Sequence, residues 1–389
     1  MRPTTLALFF AASCCLSISA SAIVRCEMNG KSVNPNNGNE TAGLTGLLRC
    51  KDEDSGKLQR EQELRNGKYI GLERFFDRDG RLLKERNVNE RGNSQGVVKQ
   101  FWPNGKLKSE ENANNGESQG VVRQFYETGN LRRLSYMQER REVLEISFNP
   151  DGSYNDLRCH TTSLISEDRK PCGFSGKAET VLQSASGTKQ GLLTWEQGRL
   201  LASVFYRDNG EMESDMRFDQ GRRVHRSYFT DNKLDGKARP REERIFEAGD
   251  QHLRSSRGPV VSHKQWGSNG QLTLFTRYAD GKPTLTERWY LNGALKEKSM
   301  LTGNGSTART LRENYTDDGK LNSRETLSAE GNITGLQQVF YSSGKPMRED
   351  TYGEPDSRGR SRLIKRKEWD DNGKVTADDE ILEDGSRRR

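Results

Sequence analysis

Ser94-Gln-Gly-Val-Val-Lys-Gln-Phe-Trp-Pro-Asn-Gly-Lys-Leu107 decides the fold, because it returns as Ser118-Gln-Gly-Val-Val-Arg-Gln-Phe-Tyr-Glu-Thr-Gly-Asn-Leu131. A β-branched and aromatic run leads into a tight polar segment that ends in glycine. Pro103-Asn104-Gly105 supplies what a type I turn accepts: proline second, asparagine third, glycine at the left-handed fourth position. Such a turn followed by a left-handed glycine closes a three-residue β-hairpin loop with a bulge. The flank Val98 to Trp102 has strand composition, and no helical periodicity surrounds it.

The same pattern runs outward in both directions. Its turn glycines are Gly80, Gly105, Gly129, Gly152, Gly210, Gly270, Gly293, Gly319, Gly344 and Gly373. The first four lie 25, 24 and 23 residues apart, and those from Gly270 lie 23, 26, 25 and 29 apart. Tyr278-Ala-Asp-Gly281 reads as a further copy. A second glycine stands nine residues ahead of the turn glycine at Gly71, Gly96, Gly120 and Gly335. A unit of about 24 residues with two strands and two turns predicts an all-β chain. Its hairpins stack into an elongated antiparallel β-meander, an open single-layer twisted sheet.

Composition agrees. Of 389 residues, 31% are hydrophobic and 31% charged, too little apolar mass for an ordinary globule of this length. The net charge is only +7, which argues against disorder and for interleaved charge pairs on a solvated sheet. Met1–Arg2, the apolar run Leu6 to Ile18 and Ala20-Ser21-Ala22 read as an export signal cut after Ala22. A lipid-attachment reading at Cys14 or Cys15 is the weaker alternative. Cys26, Cys50, Cys159 and Cys172 remain, an even number that suits two disulfides in an oxidising compartment. Three connectivities are open. Loop closure favours the local pairs, the second closing a loop of about 14 residues and contributing roughly 3 kcal/mol.

The expected organisation is a signal peptide over 1–22, a disulfide-containing cap over 23–62, hairpin repeats over 63–152 and a disulfide-pinned insertion over 153–190. Repeats resume over 191–376, degenerate and highly charged from Gly236 to Gly258, and a flexible basic tail fills 377–389.

The run Gly96-Val-Val-Lys-Gln-Phe-Trp-Pro-Asn-Gly-Lys-Leu-Lys-Ser-Glu110, with its copy from Gly120 to Leu131, resembles the MORN-repeat variant. It is most similar to the YwqK-type antitoxin family of bacteria, over about 63–152 and 191–376. The resemblance implies a non-enzymatic binding protein that neutralises a toxin. The export signal and cysteines turn that into an exported immunity-like protein, periplasmic or secreted.

Catalytic chemistry is poorly supplied. His160, His225, His252 and His263 are scattered, and no nucleophile elbow, zincin or phosphate-loop sequence occurs. Asn314 to Glu325 loosely resembles a calcium loop, but its flanks are strand-like and it reads as a hairpin turn. No cofactor or metal is expected. Arg358 to Lys367 is basic, yet nearby acidic residues balance it, and nucleic acid is not an expected partner. The expected partner is a protein, bound through aromatic residues at one repeat position: Trp102, Tyr126, Trp266, Tyr290, Tyr315 and Tyr341. The alternative is an envelope structural protein that touches anionic lipid or cell-wall polymer peripherally through basic and aromatic stripes.

Overall fold

The computed structural model describes residues 24–234, 237–247 and 258–388. The signal peptide expected over 1–22, with Cys14 and Cys15, lies outside the described residues, as do His252, Arg389 and much of the degenerate stretch 236–258. Among the described residues there are twenty-nine strands, a four-residue helix at Gly38–Thr41 and a short 3-10 turn at Gly305–Thr307. The strands form two antiparallel sheets, of twelve and seventeen. Each strand lies beside its sequence neighbours, except that Val24–Met28 sits between Lys31–Ser32 and Gly46–Asp52. The end strands of each sheet have one neighbour, so neither sheet closes. The fold is the open all-β meander that the repeat predicts.

The motif turns have the expected geometry. At Trp102–Gly105 the Gly105 N–H donates to the Trp102 carbonyl at 2.8 Å, and the Trp102 N–H donates to Lys106 at 2.8 Å. Gly105 has φ 81°, and the register shifts between Gln100 and Phe101, the signature of a bulge. Asn104 Oδ1 accepts from the Lys106 N–H at 2.9 Å, which is why asparagine or aspartate recurs before the glycine. The opposite ends of the strands use a tighter connection. Asn66–Gly67, Asn115–Gly116, Gln197–Gly198, Gln220–Gly221 and Asp280–Gly281 all have positive φ at both residues, the two-residue type I′ hairpin. Tyr278-Ala-Asp-Gly281 is therefore not a copy of the motif turn. Its Asp-Gly pair fits both turn types, and only the strand register separates them.

The chain divides into two compact units, up to Arg141 and from Glu142 onward. The first opens on a small core of Cys26, Met28, Val33, Leu48, Cys50 and Leu64, with Leu44 and Tyr69 packed against it. Cys26 and Cys50 are direct partners on adjacent strands and are disulfide-bonded. In the second unit, Cys159–Cys172 closes the other disulfide. The irregular segment is narrower than the insertion expected over 153–190. Tyr154–Arg158 is the return strand of the Gly152 hairpin, with Phe148 opposite Tyr154, and Ala178–Gln183 is a strand without the aromatic. Within the segment, buried Asp168 accepts from Leu164 N–H at 2.8 Å and Ser163 Oγ at 2.6 Å. The tail expected over 377–389 is structured through Arg388. Val375–Ile381 turns back at Leu382–Gly385, and Arg387 and Arg388 pair with Ile381 and Glu380.

Candidate binding surface

The six candidate aromatic residues occupy two positions rather than one. Trp102, Tyr126, Tyr290 and Tyr341 are the first residue of the turn, donor and acceptor of its closing bonds. Trp266 and Tyr315 stand one place earlier, as the last residue of the strand. The two placements look alike in sequence because either slot can hold the aromatic before a turn of constant length.

Register separates their roles. The strand-end slot faces the apolar residue after the turn: Phe101 opposite Leu107, Trp266 opposite Leu272, Tyr315 opposite Leu321 and Trp369 opposite Val375. This cross-strand pair is the physical content of the recurrent Gly-x-Leu, and aromatic–aliphatic pairs of this kind contribute about 0.2–1 kcal/mol each. The turn slot reaches to the next turn. Trp102 Nε1 donates to the Phe125 carbonyl at 3.2 Å, Tyr290 OH to Tyr315 at 3.0 Å and Tyr341 OH to Trp369 at 2.8 Å. The asparagines do likewise: Asn104, Asn269 and Asn292 donate to the carbonyls of Glu127, Leu291 and Asp317 at 2.9–3.0 Å. The turns along one sheet margin are thus stapled to one another, and the polar tips of three candidate aromatics are already engaged.

The charged residues are arranged as rows across the strands. In the first unit Glu27, Arg49, Glu61, Arg74, Glu85, Lys99, Glu110 and Arg123 are successive register partners, alternating in sign over eight strands. Arg74 bridges Glu85 at 2.7 Å and Glu61 at 3.3 Å, and Arg49 meets Glu61 at 3.0 Å. Glu85 first, then Glu61, holds the Arg74 guanidinium above its ordinary pKa against the opposing effect of burial. On the opposite face Glu73, 2% exposed, accepts from Arg60 at 2.7 Å and Arg86 at 2.5 Å.

A second row runs Asp215, Arg226, Glu243, Lys264, Phe275, Glu287, Lys298, Glu313, Arg324, Gln338, Glu349, Lys367 and Asp378. Phe275 and Gln338 each stand between a cation and an anion, so the alternation survives them. Burial pushes the Glu243 carboxyl up, but Lys264 and Arg226 outweigh it and hold the group below the ordinary range. Burial and the Asp215 carboxylate at 2.6 Å push the Tyr228 phenol up to about 12. Burial and Glu313 do the same to Tyr315, also to about 12.

The basic stretch 358–367 is absorbed into this pairing. Arg366 binds both oxygens of Asp350, at 2.7 and 3.0 Å, while Lys365 and Lys367 both face Asp378. Glu325, the last position of the calcium-like stretch, lies opposite Arg312 instead of closing a loop. His263 Nε2 lies 2.7 Å from Glu242. Among the described residues no group of three histidine, cysteine or acidic side chains could hold a metal, and no helix is long and apolar enough to cross a membrane.

No curated protein matches the chain. Among solved structures, that of TcdB2-TccC3-TEV is 9% identical with a TM-score of 0.18, and the match spans 87% of this chain but 20% of that one. That of TcdB2-TccC3-Cdc42 is 11% identical, with a TM-score of 0.15 over 89% and 21%. A Trichoderma reesei carbohydrate-active enzyme of family AA12 is 12% identical, with a TM-score of 0.12 over 76% and 92%. Similarities at these TM-scores support no inference about fold or function. The chain spans about a fifth of the length of the first two. Residues 94–115, 118–139 and 333–353 match the model of the MORN repeat variant. Those segments hold the near-identical copies and the Gly335–Tyr352 hairpin, so the chain carries MORN repeat variants at these three places.

Proposed function

We propose that this is an exported, non-enzymatic repeat scaffold that binds a protein partner, an antitoxin- or immunity-like protein of the YwqK type that neutralises a bacterial toxin. The observation that carries the reading is the self-neutralised sheet. Along its described rows cations and anions alternate and offset one another, while apolar side chains such as Val97 and Leu336 stand 50% and 43% exposed. The MORN repeat variants supply the family likeness, and two disulfides fit an oxidising compartment outside the cytoplasm. Capture from the native cell envelope with the full-length chain is expected to retain one stoichiometric protein. Co-expression should then relieve growth arrest caused by that protein. Sedimentation with anionic vesicles or cell-wall sacculi should leave the chain in the supernatant. Co-sedimentation without a retained protein would overturn the proposal in favour of an envelope-polymer role.

A further inference from the structure

Ten Asn-Gly pairs occur in the sequence, most of them because its turns require the combination. Asn-Gly is also the dipeptide whose side-chain amide is most readily attacked by the following backbone nitrogen, since glycine has no side chain to block the approach. The fold treats the ten pairs unequally. In the motif turns the N–H groups of Gly105, Gly210, Gly270, Gly293 and Gly373 each donate to the carbonyl three residues back, at 2.8–3.0 Å. Gly67 and Gly116, in two-residue turns, donate to the Leu44 and Ser94 carbonyls at 2.8 Å. A nitrogen held in this way must lose its hydrogen bond before it can attack.

Three pairs remain in which the glycine N–H meets no acceptor among the described residues: Asn29–Gly30, Asn37–Gly38 and Asn304–Gly305. Ring closure also needs the asparagine Cβ and the next nitrogen on the same side of the Cα–C bond. Asn29, with φ 51°, is in the left-handed region, where a ψ of about +47° points the two nearly opposite ways. Asn37 caps the helix Gly38–Thr41, and both ends of its amide are held. Its Oδ1 accepts from the Asn39 N–H at 3.1 Å, and its Nδ2 donates to Glu40 at 2.9 Å. Asn304 has neither restraint. It is exposed and extended, with φ −136° and ψ 156°, its side chain makes no capping bond, and glycine flanks it on both sides. We infer that Asn304 is a site of spontaneous deamidation, and that hydrogen bonding and backbone geometry protect the other nine pairs. The Gly305 nitrogen loses its proton and attacks Asn304 Cγ. The Cγ–Nδ2 bond breaks, and ammonia leaves with that proton as a succinimide closes. Water then opens the ring at either carbonyl, giving aspartate or isoaspartate with no oxidation or reduction. The product adds one negative charge to the link between Leu295–Thr302 and Arg309–Tyr315, and the isoaspartyl form adds a carbon to the backbone there. The reaction needs only solvent and does not depend on what the protein binds.

The test ages the full-length chain in mildly alkaline buffer, both folded and in concentrated urea. Deamidation at each pair is followed by tryptic peptide mapping, from the mass gained when an amide becomes a carboxyl group. In the folded chain the peptide Ser299–Arg309 is expected to convert at least about fivefold faster than any peptide whose glycine is bonded in its turn, the factor one hydrogen bond supplies. It should also convert faster than the peptides holding Asn29 and Asn37. In urea the ten rates should converge, because the pairs then differ only in flanking residues. Asn304→Gln should abolish the Ser299–Arg309 signal and leave the other nine rates unchanged. A folded chain in which another pair converts as fast as Asn304 would overturn the inference. So would a lead for Asn304 that persists in urea, since flanking sequence and not the fold would then set it.

Discussion

Gly198 and Gly221 are a matched pair on which the steric reading of this fold can be tested. Each is the second residue of a type I′ hairpin turn, with φ of 73° and 74°. Alanine at either site meets the same left-handed backbone cost, about 1 kcal/mol. Their surroundings differ. A Cβ on Gly221 would meet nothing within 4 Å, while one on Gly198 would lie 1.8 Å from the His160 carbonyl oxygen. That oxygen belongs to the disulfide-closed segment, to which Gly198 is also bonded through its N–H and the Cys172 carbonyl at 2.8 Å. Backbone must shift to admit the methyl group, adding about 1–3 kcal/mol as for overpacked cores. Gly221→Ala is therefore expected to cost about 1 kcal/mol and Gly198→Ala about 2–4 kcal/mol. A long repeat array does not unfold in one step, so the readout must be local. Native-state hydrogen exchange in urea, followed over 159–177 for one variant and around 219–222 for the other, supplies it. Equal losses would refute the claim that the disulfide segment is packed against the turn.

Removing the buried carboxylate in Glu73→Ala leaves two arginines facing each other, and the strands around it should lose about 2–4 kcal/mol of local exchange stability. Tyr341→Phe deletes only the bond to the Trp369 carbonyl and should cost about 1 kcal/mol, read as faster exchange near residues 369–374. The lowered pKa of Glu243 means the folded state favours its ionised form. The resulting stability is present above the ordinary value of 4.5 and is lost as pH falls through the folded pKa. Acid titration of exchange around residues 222–226 should show that loss, and Glu243→Gln should flatten it. Tyr228 and Tyr315 should ionise near 12 rather than 10, and the Tyr→Phe variants should remove those transitions from an ultraviolet absorbance titration. Their raised pKa values stabilise the fold below pH 10, an effect lost as pH climbs toward 12.

The turn chemistry was legible because it is local. Pro103-Asn104-Gly105 needs only its own φ and ψ preferences to predict a bulged hairpin, and each motif turn glycine sits where that rule puts it. Asp280–Gly281 misled for the same reason: the pair satisfies two turn types, and the choice depends on register with Pro283 and Lys282, which is not local. The charge rows are long-range objects. Arg74 meets Glu61 and Glu85 only after two registers are set, although the adjacent opposite charges Arg60-Glu61, Glu73-Arg74 and Glu85-Arg86 signal them in hindsight. The staple from Tyr341 to Trp369 spans 28 residues, so the aromatic before a turn could be seen but not its target. The packing of the segment after Arg158 was invisible, because it depends on the contacts of buried Asp168 and on a disulfide whose pairing the sequence left open.

The alternation of sign across the strands has a consequence for how such a chain can change length. A repeat contributes two strands, hence one anion and one cation to a row wherever both of its positions are charged. Duplicating or deleting a whole unit moves every later strand by an even step, and opposite charges still meet. Loss of a single charged strand would set like charges opposite each other at the junction, one repulsive pair in the row. The near-identity of Ser94–Phe101 and Ser118–Phe125 is the trace such a duplication leaves. The electrostatic pattern acts as a parity check: it tolerates growth and loss by hairpins and opposes both by single strands.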